Sequence, residues 1–150
     1  MRVIIQRVRR AEVIIDAEVY SQIKAGFLIL LGIEEQDNRE DVEWIVKKIV
    51  AMRIFSDSDG KMNLDIKQVG GSLMVVSQFT LHASTVKGNR PSFIRAARPD
   101  KAIPLYEYFI ALVEQESEIV PKTGVFGADM QVSLINDGPV TIIMDSKSRE

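Results

Sequence analysis

Ser77-Gln78-Phe79-Thr80-Leu81-His82 closes an apolar run, and Asn136-Asp137-Gly138-Pro139-Val140-Thr141 interrupts an otherwise strand-like C-terminal segment. The first stretch sets a hydroxyl nucleophile two residues before an imidazole. On a plain extended strand Gln78, Thr80 and His82 face one way, and Ser77, Phe79 and Leu81 the other. A Thr hydroxyl beside an imidazole is the minimal nucleophile–base pair. No carboxylate is placed to orient the ring, so ordinary polar residues at a strand end are the competing reading. In the second stretch, Pro cannot donate to a sheet ladder and Gly weakens a strand. A cis Gly138–Pro139 bond would turn the chain sharply and aim two successive carbonyls the same general way, which makes a receptor for an ammonium group. Only ~5–6% of X-Pro bonds in folded proteins are cis, so a trans Pro opening an edge strand is the commoner arrangement.

Charge adds a second clue. The net charge is −2, so no global field draws in nucleic acid. Between Thr85 and Lys101, however, the bases Lys87, Arg90, Arg95, Arg98 and Lys101 face one acid, Asp100. Arg2, Arg7, Arg9 and Arg10 open the chain without any acid among them. Either patch can meet a phosphate backbone or be ordinary solvated charge. The absence of cysteine excludes disulfides and thiolate metal sites, and a single histidine excludes a zinc site of several imidazoles. The longest apolar run, Gly26 to Ile33, is too short to span a bilayer. Met1-Arg2 leads into Val3-Ile4-Ile5 with no signal-peptide organisation. A cytoplasmic protein with no metal, no cofactor and no membrane partner is expected.

The elements that carry these residues follow from hydrophobic patterning. An apolar content of 46% over 150 residues suits one domain spanning 1–150, with no linker or repeat. Val3, Ile5 and Val8 begin a strand that Val13-Ile14-Ile15 continues. Val19–Ile23 and Phe27–Ile33 are the next strands, the latter apolar throughout and so expected to be buried on both faces. Asp37 and Glu40 have capping-box spacing, and Val42, Ile45, Val46, Ile49 and Val50 mark one helix face. Asp57-Ser58-Asp59-Gly60 signals a turn. Read as a calcium loop it would put Phe55 and Ile66 at ligand positions, so that reading fails. Gly70-Gly71 precedes a strand at Leu73–Val76. His82 to Pro99 is polar, basic and irregular, the kind of long loop that carries function. A second helix starts near Asp100, buries Ala102, Leu105, Tyr106, Phe109, Leu112 and Val113, and tolerates Pro104 in its first turn. Two last strands, Met130–Ile135 and Val140–Met144, are expected to join through Asn136-Asp137-Gly138. The fold class is α/β, a mixed sheet or barrel with two main helices packed outside. Strands before the first helix form a meander, and later ones separated by helices can pair in parallel.

Several motifs in order resemble those of the D-aminoacyl-tRNA deacylases of bacterial and eukaryotic type. They are Met1-Arg2-Val3-Ile4-Ile5-Gln6-Arg7-Val8, Arg53-Ile54-Phe55 and Gly60-Lys61-Met62-Asn63. Ser77-Gln78-Phe79-Thr80-Leu81, Lys87-Gly88-Asn89-Arg90-Pro91-Ser92-Phe93 and Ala96-Ala97-Arg98-Pro99 follow. Phe126-Gly127-Ala128-Asp129-Met130-Gln131-Val132 and Asn136-Asp137-Gly138-Pro139-Val140-Thr141 complete the set, which spans essentially the whole chain.

The resemblance implies hydrolysis of the ester joining a D-amino acid, or mischarged glycine, to the terminal ribose of tRNA, a proofreading step in translation. It implies a homodimer that binds the aminoacylated tRNA end and no DNA. Catalytic roles fall to Ser77, Gln78 and Thr80. Phe79, Gly138, Pro139, Arg7, Phe126, Gly127 and Met130 bind substrate, and Lys87, Arg90 and Arg98 contact phosphates. In this family the Gly-Pro motif is cis, enters the partner's pocket and holds the α-amino group, and Arg7 matches a residue bracing it from the other chain. With the ammonium and ester pinned, an L-side chain strikes the Gly-Pro backbone while a D-side chain points to solvent. Two routes stay open: attack by Thr80 through an acyl-enzyme, or water assisted by the ribose 2′-hydroxyl. A non-catalytic RNA-end binding module on the same fold is the alternative function. A triad hydrolase is disfavoured by the single His and the missing Gly-x-Ser-x-Gly elbow.

Overall fold

Alternating apolar residues from Arg2 to Ile15 form one bent 14-residue strand, β1, around which the sheet is organised in the computed structural model of residues 1–150. The strand pattern begun by Val3, Ile5 and Val8 continues through Arg9-Arg10 to Val13-Ile14-Ile15 without a break. The first half of β1 pairs antiparallel with β3 (Gly26–Gly32) and the second half with β2 (Glu18–Ile23). Strand β3 then pairs in parallel with β6 (Ser72–Ser77), and β6 in parallel with the short β7 (Lys122–Thr123). The Ser21 hydroxyl donates to the Thr123 carbonyl at 2.6 Å, tying β2 to β7 so that the sheet curls into a nearly closed barrel. Strands β4 (Phe55–Ser56) and β5 (Met62–Leu64) make a separate hairpin around the turn expected at Asp57–Gly60.

Both faces of β3 are buried, as its continuous apolar run predicts. Phe27, Ile29 and Leu31 pack toward the helices, and Leu28 packs into the barrel with Val8, Val13, Met74 and Val76. Helix α1 (Arg39–Val50) contributes Val42, Ile45, Val46 and Ile49 to the larger core, and α2 (Pro99–Ser117) contributes Ala102, Tyr106, Phe109 and Val113. At roughly 1.5–3 kcal/mol per fully buried large apolar side chain, this helix-covered face dominates the stability. No helix is long and apolar enough to cross a membrane.

Three local expectations are corrected. The capping box of α1 lies one residue later than predicted: Asn38 Oδ1 accepts from the N–H of Glu40 and Asp41, and Asp41 Oδ2 accepts from the Asn38 N–H at 2.9 Å. Asp37 has another task. Its carboxylate takes the buried Met1 ammonium and accepts from the Glu34 N–H at 2.8 Å, and a buried charge needs such a partner. Because α2 starts at Pro99, Pro104 is its sixth residue, beyond the first turn, and leaves the Asp100 carbonyl without its helical donor. Most consequential, β8 (Gln131–Asp145) is one element, not two strands joined by a connection. Both its halves run antiparallel to β1. Between the pairs Val8↔Asn136 and Gln6↔Thr141, β1 has only Arg7 while β8 has Asp137, Gly138, Pro139 and Val140. The Gly-Pro segment is therefore a four-residue excursion opposite Arg7.

Candidate active site

Strand β6 ends where Gln78 leaves the extended region (φ −143°, ψ 81°), and Phe79–His82 then form a single 3₁₀ turn. That turn abolishes the strand alternation expected for these residues. Phe79 is 57% exposed and His82 is buried at 1%. Gln78 and Thr80 do meet, the Gln78 amide donating to Thr80 Oγ1 at 2.5 Å. The N–H groups of Phe79 and Thr80 head the turn, where the first N–H groups have no acceptor within the helix itself. The imidazole lies beneath the turn against Gly32, both ring nitrogens without a partner. Burial lowers its pKa below the ordinary 6.5, despite the nearby Glu34 carboxylate. His82 thus makes no bond to Thr80, and the nucleophile–base pairing is overturned: the turn, rather than an alternating strand, sets the side-chain directions.

Above the C-terminal ends of the parallel strands β3 and β6 lies a pocket of about 270 Å³. That is where crevices form in sheets with parallel strands. Ser77, Gln78 and Phe79 line it together with Phe126, Gly127 and Met130, so six of the residues singled out in the sequence converge. Leu31 and Ile33 form part of its apolar lining, and Ala97, Ala102, Ala128 and Asp129 complete its rim. These were not identified from sequence, although Ala97, Ala128 and Asp129 sit inside matched motifs. Thr80 is not among the lining residues. Phe126 serves both pocket and core, its ring edge-on to Tyr106 at 5.8 Å. No three His, Cys, Asp or Glu side chains gather to hold a metal ion.

The basic loop reaches the pocket through an aromatic contact. Reciprocal backbone bonds between Ser84 and Ser92 close the loop, and the Phe93 ring meets Phe79 edge-on at 5.2 Å. Arg95 is engaged by Glu34 at 2.8 Å, and the Lys101 ammonium donates to the Glu35 carbonyl. Lys87, Arg90 and Arg98 are exposed and form no ion pair. In the N-terminal basic cluster Arg2 pairs with Asp145, and Arg7 and Arg9 with Asp137. Of these two basic segments, the loop keeps the larger group of unpaired cations.

The Gly-Pro excursion is held by its own neighbours. Asn136 Oδ1 accepts from the Val140 N–H at 2.7 Å, and Asn136 Nδ2 donates to Thr141 Oγ1 at 3.0 Å. The Arg7 side chain is buried between two carbonyls, donating to Asp137 O at 2.9 Å and to Ile54 O at 2.5 Å. Within this chain the Arg7 guanidinium therefore meets the excursion of its own β8. The Gly138–Pro139 bond is cis, and Gly138 has φ +137°, a region that favours glycine. Both residues are exposed and lie outside the lining of this chain's pocket. Arg7, Gly138 and Pro139 thus form one cluster and the pocket residues another.

A sequence profile described as D-Tyr-tRNA(Tyr) deacylase matches residues 4–145. The chain belongs to this deacylase family. D-aminoacyl-tRNA deacylases from Akkermansia muciniphila and Cytophaga hutchinsonii are 63% and 59% identical over 150 residues, covering all of both chains. A solved structure named c-Myc DNA Unwinding Element Binding Protein is similar with a TM-score of 0.90 and 38% identity, over 97% of this chain and 98% of that one. Another, described as a probable eukaryotic D-amino acid tRNA deacylase, shares the fold with a TM-score of 0.80 at 15% identity, over 95% and 97%. This deacylase is accordingly a hydrolase of the aminoacyl-tRNA ester, with tRNA as its partner.

Proposed function

We propose that this deacylase frees D-amino acids and glycine from tRNA in the pocket beside Phe79, as a cytoplasmic proofreading step carried by a single 1–150 domain acting as a homodimer. The Phe79 and Thr80 N–H groups hold the developing oxyanion. Ser77 and Gln78 shape the floor, and Gln78 fixes the Thr80 hydroxyl. The 2′-hydroxyl of the terminal ribose assists the attacking water, since an activated ester needs mainly positioning and charge stabilisation. The exposed face of Phe79 stacks on the terminal adenine. Lys87, Arg90 and Arg98 meet phosphates. The Gly138–Pro139 tip of a second copy enters the pocket mouth near Phe126, Gly127 and Met130. Its carbonyls hold the α-ammonium and its backbone blocks an L-side chain.

The observation that carries this reading is the pair of N–H groups heading the turn at the pocket, while the only imidazole is buried beneath it. Thr80 therefore lacks the base that a hydroxyl nucleophile requires. The shared site is supported by the exposure of Gly138 and Pro139 outside their own pocket. It is also supported by the exposed large apolar side chains on either side of them along β8, Ile135 and Ile143, the latter 67% exposed. Deacylation of D-Tyr-, D-Asp-, glycyl- and L-Tyr-tRNA tests it. Comparable turnover of the D-substrates, turnover of glycyl-tRNA and none of L-Tyr-tRNA is expected, and similar turnover of both enantiomers ends the gate. Binding of tRNA ends without any turnover would make the chain an RNA-end binding module instead. Thr80→Ala is expected to keep kcat within a few-fold, and a trapped acyl-Thr80 overturns the 2′-hydroxyl route.

A further inference from the structure

Gly124 sits just past β7, buried, its N–H donating to the Val75 carbonyl at 3.3 Å. Its φ is not positive, so its backbone suits any L-residue. The restriction there comes from a neighbour. A Cβ at this position would lie 2.4 Å from Met130 Sδ, 3.5 Å from Met130 Cε and 3.8 Å from Val76 Cγ1. Met130 and Val76 both line the pocket. The hydrogen at position 124 thus leaves the space in which the Met130 thioether rests.

We propose that Gly124 is a positioning residue that sets the width of the ester pocket by parking the end of Met130 against β6. The proposal rests on this pocket being the deacylation site. A methyl group at 124 displaces the thioether, and an unbranched Met side chain yields easily. It can yield in one direction. On the barrel side Met130 packs against a cluster whose Leu28, Met74 and Val76 are fully buried, and a filled interior resists added volume. The pocket side is open. The fold therefore tolerates Gly124→Ala, while the thioether moves into the space the aminoacyl group needs.

The test compares Gly124→Ala, Met130→Ala, Phe79→Ala and the double variant Gly124→Ala/Met130→Ala on D-Tyr-tRNA, with thermal unfolding and the ¹³C-methyl resonance of Met130. Gly124→Ala is expected to keep Tm, shift the Met130 methyl resonance and lower kcat/KM about tenfold or more, because ångström misplacements have effects of this size. In the Met130→Ala background the same substitution is expected to have no further effect. Should Gly124→Ala fold only in that background, the proposal is overturned, because the thioether then does not yield into the pocket. Wild-type kcat/KM in Gly124→Ala overturns the proposal, as does an equal loss with and without the Met130 thioether. Unchanged turnover in both Phe79→Ala and Met130→Ala overturns the pocket as the ester site, and the role of Gly124 with it.

Discussion

Arg7→Met removes the anchor that joins the Gly-Pro excursion to the barrel. Two carbonyls, Asp137 O and Ile54 O, lose a charged donor. Hydrogen bonds to charged groups contribute about 1.5–3 kcal/mol each, so the loss in unfolding free energy is about 3–6 kcal/mol. Against a usual ~5–15 kcal/mol, the variant stays folded at 25 °C. Arg7→Lys keeps the charge but lacks the planar fork, so it reaches one carbonyl and loses about half as much. Asn136 still closes the excursion on itself through Val140 and Thr141. The tip therefore keeps its shape and loses its placement. Placement errors near 1 Å are worth about 10² in rate, so kcat/KM on D-Tyr-tRNA is expected to fall by about that factor in Arg7→Met. A loosened gate also admits L-Tyr-tRNA, and the D/L ratio falls with it. Urea unfolding gives the stability change, and a deacylation assay on both enantiomers gives the rest. An Arg7→Met protein that unfolds at lower urea yet keeps its D-Tyr rate and D/L ratio within twofold refutes the role of the anchored excursion.

Gly138→Ala forces a Cβ to 2.7 Å from Val140 Cγ2 and 3.1 Å from Arg7 Nη2, at φ +137°. A stability loss of about 1–3 kcal/mol in urea and at least tenfold lower D-Tyr turnover are expected, and wild-type values in both would refute the packing described. Replacing Lys87, Arg90 and Arg98 by Gln is expected to weaken all tRNAs alike and flatten the slope of log K against log salt by about two to three. A loss confined to one tRNA species contradicts this. For His82 the folded pKa is depressed below 6.5, chiefly by burial, so below that pH the unfolded chain binds a proton the native one refuses. Stability is therefore full above pH 6.5 and falls as pH drops through that value toward the native pKa. Asp41 and Asp145 act lower. Burial opposes their ionisation, but bonds from Lys147 and Arg2 hold both below 3.8, so their contribution is lost only in stronger acid. Urea titrations of His82→Leu are expected to lack the decline just below pH 6.5, and an unchanged profile rules out the histidine as its source.

Regular elements were legible because their signals are local and periodic. The stripe Val42, Ile45, Val46, Ile49 specified a helix face, and Phe27–Leu31 announced a strand covered on both sides. Where two readings shared one spacing, sequence could not choose. Asp37/Glu40 and Asn38/Asp41 both satisfy a capping box, and the choice is made by a contact 36 residues away, the Met1 ammonium claiming Asp37. The excursion in β8 was misread for a related reason. Gly-Pro flanked by two strand patterns reads as two strands and a connection, and only the pairing of both halves with β1 shows one continuous element. Six pocket residues are legible because they lie in compact motifs, whereas Ala102 reaches the pocket through the packing of α2 onto the core and Ala97 through its N–H bond to the Ile33 carbonyl, long-range contacts that no local pattern encodes.

The same distinction applies to the proposed mechanism, which uses no nucleophile–base pair. The groups proposed to act on the ester are main-chain atoms: N–H groups at Phe79 and Thr80, carbonyls at Gly138 and Pro139. Every residue type has these atoms, so a sequence records them only through the side chains that hold the backbone in place. Gln78 binds the Thr80 hydroxyl, Asn136 closes on Val140 and Thr141, and Arg7 clamps Asp137. Polar residues in both motifs are then structural in contact and functional in consequence. A site built this way orders its mutational sensitivities differently from a side-chain active site. Losing the Thr80 hydroxyl removes an acceptor for Gln78, while losing the Arg7 guanidinium moves a gate. The larger kinetic effect is therefore expected at Arg7, although it lies outside the lining of its own chain's pocket.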